Sequence, residues 1–381
     1  MTATQTTSAT TPSTRRRSIG EWWNTLNRPQ QWAVLVPVVV LIYALPVLNP
    51  PILTTEPGYD FQIAMFEVAR YALIAIGLNV VVGQAGLLDL GYVGFFAVGA
   101  YVAALFTSPD SSLAKLPFLA VIPLAMAITM VFGVILGTPT LRLRGDYLAI
   151  VTLGFGEIVR LLADNVDPLR GNQGFQQVGH PPGTREDGTA LFNNTDGTPW
   201  YWLTVTIIIV TLLVVGNLER SRVGRSWVAI RDDEDAAALM GVNTFKFKVW
   251  AFVIGAAIGG LSGALYAGQL AFVNNQKFDV VTSILFLAAV ILGGSGNKVG
   301  VLLGAFVVAY VPLRFLGIAE YKFLIFGFAL IVLMIFRPQG LLGARQRLLT
   351  YGRQAYQRLL GRGEVVSHDA AVTSDKNGGA R

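Results

Sequence analysis

Long apolar runs recur along this chain, separated by short polar stretches. They cover roughly residues 31–49, 61–82, 87–106, 116–137, 147–163, 200–216, 247–268, 280–293, 299–316 and 321–336. Most reach the roughly 17–25 residues that cross a bilayer as a helix. Within a run, apolar and polar residues do not alternate, so the runs do not read as barrel strands. A helix pairs its own backbone groups and is the element that can stand in lipid. The pattern predicts an all-α, polytopic integral membrane protein with about ten transmembrane helices. The eighth run is short and follows the polar "NNQKFD", which points to a broken or re-entrant helix there.

Composition sharpens this picture. The 381 residues are 53% hydrophobic and only 14% charged, against roughly 25% charged in soluble domains. The net charge of +6 does not indicate nucleic acid, because the basic residues flank the runs, where they set orientation. With an even number of spans both ends lie on one side. Placing the N-terminus inside puts 21 Lys and Arg in inner loops and tails, and five in outer loops. That asymmetry predicts an N-in, C-in topology. Segment 217–246 is then cytoplasmic and the loop 164–199 external. Residues 1–30 read as a disordered cytoplasmic tail. Residues 31–336 form the transmembrane domain, and 337–381 a basic amphipathic and disordered tail.

The chemistry-bearing residues are sparse. There is no cysteine and there are two histidines, so neither a thiolate or His metal site nor a cysteine nucleophile is expected. His180 falls in the external loop as a solvated residue. No G-x-x-x-x-G-K-[ST] loop occurs; "GGSGNKVG" lacks its ending. The chain is not expected to be an enzyme, and no cofactor is expected in it.

Charges inside spans are costly and either paired or functional. Glu67 and Arg70 stand three apart on the second run, and Glu157 and Arg160 on the fifth, so each pair can neutralise itself on one helix face. Asp89 opens the third run near the inner boundary, where a capping role costs least. Gly255, Gly259, Gly263 and Ala267 recur every four residues, a stripe for close helix packing. Gly83, Gly86, Gly91, Gly94 and Gly99 are spaced more densely than that stripe. Such a cluster can break a helix and expose backbone to a substrate. Asp89, Glu157 and Arg160 join the first four of these glycines as candidate pathway or gating residues.

One stretch stands apart: "RDDEDAAALMGVN" at 231–243, a charged, Ala-rich insert between long apolar runs. Asp232 through Met240 predicts a short helix with its acids at the N-terminal end, where the helix dipole favours them. Gly241 can stop it. Asp235-Ala236-Ala237-x-x-x-Gly241 resembles the coupling-loop motif of ABC importer permeases, with Asp235 where that motif usually has Glu. "GLNVVVGQAGLLDLGYVGFFAVGAYVAAL" (77–105), "LRLRGDYLAIVTLGFGEIVRLL" (141–162), "AVILGGSGNKVG" (289–300) and "IFRPQGLL" (335–342) are similar to the LivM-type permease subunits of branched-chain amino acid ABC importers. The resemblance runs from about residue 61 to 342.

That resemblance implies a multi-pass protein of a bacterial cytoplasmic (inner) membrane. It implies a homologous LivH-type permease as partner, two cytoplasmic ABC ATPases that bind the ATP, and an extracytoplasmic substrate-binding protein. Asp235, Ala236, Ala237 and Gly241 would then contact an ATPase. A urea or amide importer permease is the related alternative. A self-sufficient secondary transporter would leave the 231–243 segment without a role.

Overall fold

The computed structural model describes residues 28–51, 60–141, 145–185, 188–315 and 321–336, with positions 53, 55, 143 and 340. The expectations for residues 1–27 and for the tail beyond 340 lie outside the described residues. All ten apolar runs are helical. In chain order, α1 is Arg28–Leu48, α2 Phe61–Leu78, α3 Tyr92–Thr107, α4 Phe118–Thr140 and α5 Asp146–Asn165. Then come α6 Gly197–Arg220, two short helices α7 Arg222–Asp232 and α8 Glu234–Leu239, and the long α9 Thr244–Leu270. The series ends with α10 Val280–Gly293, α11 Lys298–Arg314 and α12 Lys322–Phe336.

Side-chain caps set several helix starts. Asp60 accepts from Gln62 N at 2.8 Å, Asp279 from Thr282 N at 2.9 Å and Asn243 from Lys246 N at 3.0 Å. Each satisfies a main-chain donor that the first helical turn leaves open. Among the described residues, four stretches are long and apolar enough to cross a membrane by length and composition: Phe61–Gln84, Phe118–Thr140, Gly197–Arg220 and Thr244–Leu270. Shorter apolar helices accompany them, including Tyr92–Thr107 and Val280–Gly293. The protein is a polytopic helical membrane protein.

Helix α1 carries Pro37 and Pro46 within its length and forms a unit of its own. In the rest of the chain, α2, α3 and α9 make the core. Tyr92 of α3 donates its hydroxyl to the carbonyl of Gly255 at 2.7 Å. Gly263 stands where a Cβ would lie 2.0 Å from the Phe96 carbonyl oxygen, so the small stripe on α9 is the seam on which α3 packs. Around this core, α4, α5 and α6 leave Val131, Ile135, Ile150, Ile158, Leu213 and Val214 exposed. Apolar outer faces of that extent suit lipid rather than water.

The helix connections fall into two groups. At one end, Phe175–Gln176 (β1) pairs antiparallel with Phe272–Val273 (β2), and Gln176 N donates to Asp110 Oδ2 at 2.9 Å. Loops 108–117, 166–196 and 271–279 are joined there. At the other end, Lys298 pairs with Glu219 at 2.5 Å and Gly296 N donates to Asn79 Oδ1 at 2.8 Å. The long helices of this unit therefore run between the two ends, with α7 and α8 both at the second.

Two expectations are corrected. The eighth run is one unbroken helix, α10: Asp279 caps it, and its polar approach "NNQKFD" folds separately as a 3₁₀ turn at Asn275–Lys277. The third run does not begin as a helix at residue 87. Residues 87–91 have no regular secondary structure, and helix starts only at Tyr92.

Candidate coupling and gating site

The break before Tyr92 is the centre of the site. Helix α2 runs into a π-turn, Asn79–Gln84, a form that often marks functional positions. Gly86 then takes φ +71°, a left-handed conformation that glycine adopts without steric cost. Residues 85–91 follow without regular structure, a stretch that can reach about 23 Å. Two neighbouring helices hold it. Leu90 N donates to Thr152 Oγ1 of α5 at 3.0 Å, and Ser283 Oγ of α10 donates to the Leu90 carbonyl at 2.6 Å. Ser283 lies ten residues before Gly293, about 15 Å along a helix. The chain thus turns at Gln84 and climbs back into the bundle before α3 begins. Non-helical backbone at such depth persists only where protein covers it.

Asp89 rides on this segment and is 1% exposed. The pattern of runs placed it at a boundary, on the assumption of a helix from residue 87. The irregular path, held by α5 and α10, carries it inside instead. Its Oδ1 accepts from Gly91 N at 2.9 Å, and its Oδ2 has no hydrogen-bond partner among the described residues. Gly91 and Gly94 press against α5, where a Cβ would meet the Thr152 carbonyl and the Phe155 ring. They serve close packing. Glu157 and Arg160 pair on α5 through Arg160 Nε, 3.0 Å from each carboxylate oxygen, about a third exposed.

The 231–243 stretch holds two helices rather than one. Asp232 ends α7, while Asp233 turns extended and accepts from Ala236 N at 2.9 Å, capping α8. The reason is local: an aspartate in extended conformation bonds the new helix's open N–H more favourably than it continues the old one. Gly241 N donates to Ala238 O and Val242 N to Ala237 O, both at 3.0 Å. With Gly241 at φ +85°, this is the Schellman closure that glycine favours. Asp235 and Ala236 are exposed, but Ala237 is 5% exposed and packs within its own chain. The outward apolar residues are Leu239 and Met240, 89% and 85% exposed.

The short helices are firmly seated. Trp227 is buried and donates its indole N–H to the Phe247 carbonyl at 2.8 Å. Lys248, also buried, meets Glu234 at 2.5 Å. Arg231 Nη1 donates to the Gly83 carbonyl in the π-turn. Gln84 Nε2 donates to Glu219 at the end of α6. Of the residues singled out from sequence, Gly83 and Gly86 are both met by Arg231, which precedes the Asp235–Gly241 helix in the chain by one turn. Arg231, Gln84 and Glu219 were not recognised. The one available signal was Arg231 itself, which opens the stretch but looks like any inner-loop cation.

A lipid-facing helical bundle built around a discontinuous helix, with a capped surface helix tied to that discontinuity, is the architecture of a multi-pass membrane permease. A family profile described as "Branched-chain amino acid transport system / permease component" matches residues 62–335. The chain belongs to that family. It is 40% identical over 290 residues to the high-affinity branched-chain amino acid transport system permease protein LivM of Salmonella typhimurium, covering 71% of this chain and 67% of that protein. It is 28% identical to BraD of Pseudomonas aeruginosa, a permease protein of the same description, over 72% of this chain and 92% of that one. It is 25% identical to LivH of Salmonella typhimurium, again over 72% and 92%. No solved structure gives a significant match.

Proposed function

We propose that this chain is one of two homologous permease subunits of an ATP-driven importer for branched-chain amino acids in a bacterial cytoplasmic membrane. Its likeness to both LivM and LivH relatives supports such a pair. Two cytoplasmic ABC ATPases bind the ATP, and an extracytoplasmic binding protein delivers the substrate. The chain crosses the membrane about ten times with both ends inside, and α7–α8 face the cytoplasm. The observation that carries the reading is the pairing of two features on one rigid segment: Leu239 and Met240 stand outward on α8, and Arg231 holds the Gly83 carbonyl. An ATPase groove that closes on the two apolar side chains moves α7, and α7 moves the break at 83–91.

The test is Leu239→Asp with Met240→Asp, purified from its native host by a tag on this chain. Burying two carboxylates in an apolar groove is costly. ATPase activity should be lost from the purified complex and leucine uptake should stop. The variant should still reach the membrane, since no apolar run changes. Wild-type uptake with the ATPases still attached would show that α8 is not the docking element.

A further inference from the structure

A second feature of the bundle lies at the opposite end from α8. A cavity of about 410 Å³ opens between α2, α9, α10, α11 and α12. That is within the roughly 300–1,000 Å³ usual for small-molecule sites. Leu270 and Lys277, on either side of β2, are among its lining residues, so it reaches the end carrying the long 166–196 loop.

Its wall contains a buried charge pair. Arg70 of α2 has a side chain 7% exposed and is ion-paired with Glu67 one turn earlier. Three rings enclose the guanidinium: its central carbon is 5.0 Å from the Tyr71 centroid, 5.4 Å from Phe96 and 5.0 Å from Tyr266. These contacts satisfy its faces. They leave its edge short of acceptors, and Arg70 Nε is buried with no hydrogen-bond partner among the described residues. A guanidinium carries five N–H donors, and the natural complement to its fork is a carboxylate. Glu67 offers the complementary acceptor for an ammonium group. Beyond the pair, Leu285, Val308 and Phe326 supply an apolar wall.

We propose that this cavity receives a free branched-chain amino acid as a zwitterion, with its carboxylate on Arg70, its ammonium on Glu67 and its side chain against Leu285 and Val308. The assignment rests on the importer reading above and gives that importer an entry site within this subunit. The charges balance. A neutral zwitterion entering a neutral ion pair adds no net charge to the membrane interior, so the main desolvation cost is met by pairing. A one-headed ligand leaves Arg70 or Glu67 facing an uncompensated charge.

The test uses the assembled transporter in nanodiscs without its binding protein, with tritiated L-leucine as probe. Unlabelled L-leucine should compete. 4-Methylpentanoate, which lacks the ammonium, and 3-methylbutylamine, which lacks the carboxylate, should compete far more weakly. Arg70→Gln should weaken binding roughly ten- to hundredfold, the loss expected for a charge-assisted pair. Because that variant leaves Glu67 alone, Val308→Trp provides a second arm that fills the cavity without touching the pair. It should weaken leucine to a similar degree. Leu285→Ala should shift preference toward phenylalanine. Unchanged leucine binding in folded Arg70→Gln and Val308→Trp transporters overturns the site while leaving the importer reading intact. So does equal competition by the one-headed analogues. A wild-type complex that neither binds nor imports any branched-chain amino acid overturns the importer reading, and the site with it.

Discussion

Arg231, in the last turn of α7, donates from Nη1 to the main-chain carbonyl of Gly83, 148 residues earlier in the chain. Its stem lies over Gly86, where a Cβ would meet Arg231 Cγ at 2.8 Å, and its Nη1 lies 2.7 Å from the Cβ position of Gly296. One side chain therefore touches the π-turn, the extended segment after it and the α10–α11 connection. A π-turn leaves carbonyls imperfectly paired, and a guanidinium is well suited to hold one.

Arg231→Ala should separate docking from transport. The charged hydrogen bond to Gly83 is lost, an effect of about 1.5–3 kcal/mol. Leu239 and Met240 are untouched, so the ATPases should still co-purify. Leucine uptake should fall about tenfold or more, while ATP hydrolysis continues and no longer responds to substrate. Loss of ATPase binding together with uptake would make Arg231 a docking residue instead.

Gly241→Val tests the closure of α8. No atom lies within 4 Å of a Cβ built on Gly241, and its φ is +85°. Space is therefore not the constraint; backbone conformation is. A β-branched residue in that region costs about 1–2 kcal/mol or more. The Schellman bonds should open, and amide exchange at Gly241 replaced by valine and at Val242 should quicken relative to α9. Membrane insertion should be unaffected. Unchanged exchange would show that the turn tolerates a side chain.

How much of this was legible follows from the kind of signal each feature leaves. The ten helices were readable because an apolar run of membrane length has few other uses. Gly83, Gly86 and the 235–241 helix were readable because glycine density and an acidic N-terminal turn are local patterns. The position of Asp89 was not, since apolar content alone does not separate a helix from an extended path already covered by protein. The split at Asp233 was missed because four acids in a row suit a helix start at several registers. The links Arg231–Gly83 and Gln84–Glu219 join residues more than a hundred positions apart, and no local pattern encodes such a pairing. Ala237 was expected to face outward, but a six-residue helix seated on α9 by Glu234 and Lys248 must bury one face, and Ala237 lies on it.

Asp196 gives a pH signature outside the spans. It caps α6 through Thr198 N at 2.9 Å and pairs with Arg185. Burial alone would raise its carboxyl, but the Thr198 hydrogen bonds and Arg185 outweigh burial and hold it below the usual carboxylate range. A depressed folded value contributes stability above the unfolded carboxylate pKa of about 3.9. That contribution is lost as pH falls through the folded value. Asp196→Asn keeps a good cap and removes the charge. It should lower stability slightly at pH 6 to 8, by less than about 1 kcal/mol for so exposed a pair, read as a small drop in thermal midpoint. The difference should close as pH drops below about 4. A gap that widens in acid would contradict the assignment.

The orientation is open to a direct measurement, because the chain has no cysteine and single-cysteine variants need no background removed. The helix ends form two groups. One contains the β1–β2 ribbon and the loop carrying Gln173. The other contains α7, α8 and the Asn79–Gly296 contact. The second group holds most of the loop Arg and Lys, among them Arg222, Arg225 and Arg231, and positive charge marks the cytoplasmic side. Gln173 and Ala238 are both exposed, so Gln173→Cys and Ala238→Cys should leave the fold intact. In intact cells a membrane-impermeant maleimide should label Gln173→Cys and spare Ala238→Cys. In inverted vesicles the pattern should reverse. Labelling of Ala238→Cys from outside would turn the molecule over. It would place the Arg70 cavity on the cytoplasmic side, and α8 could then meet no ATPase.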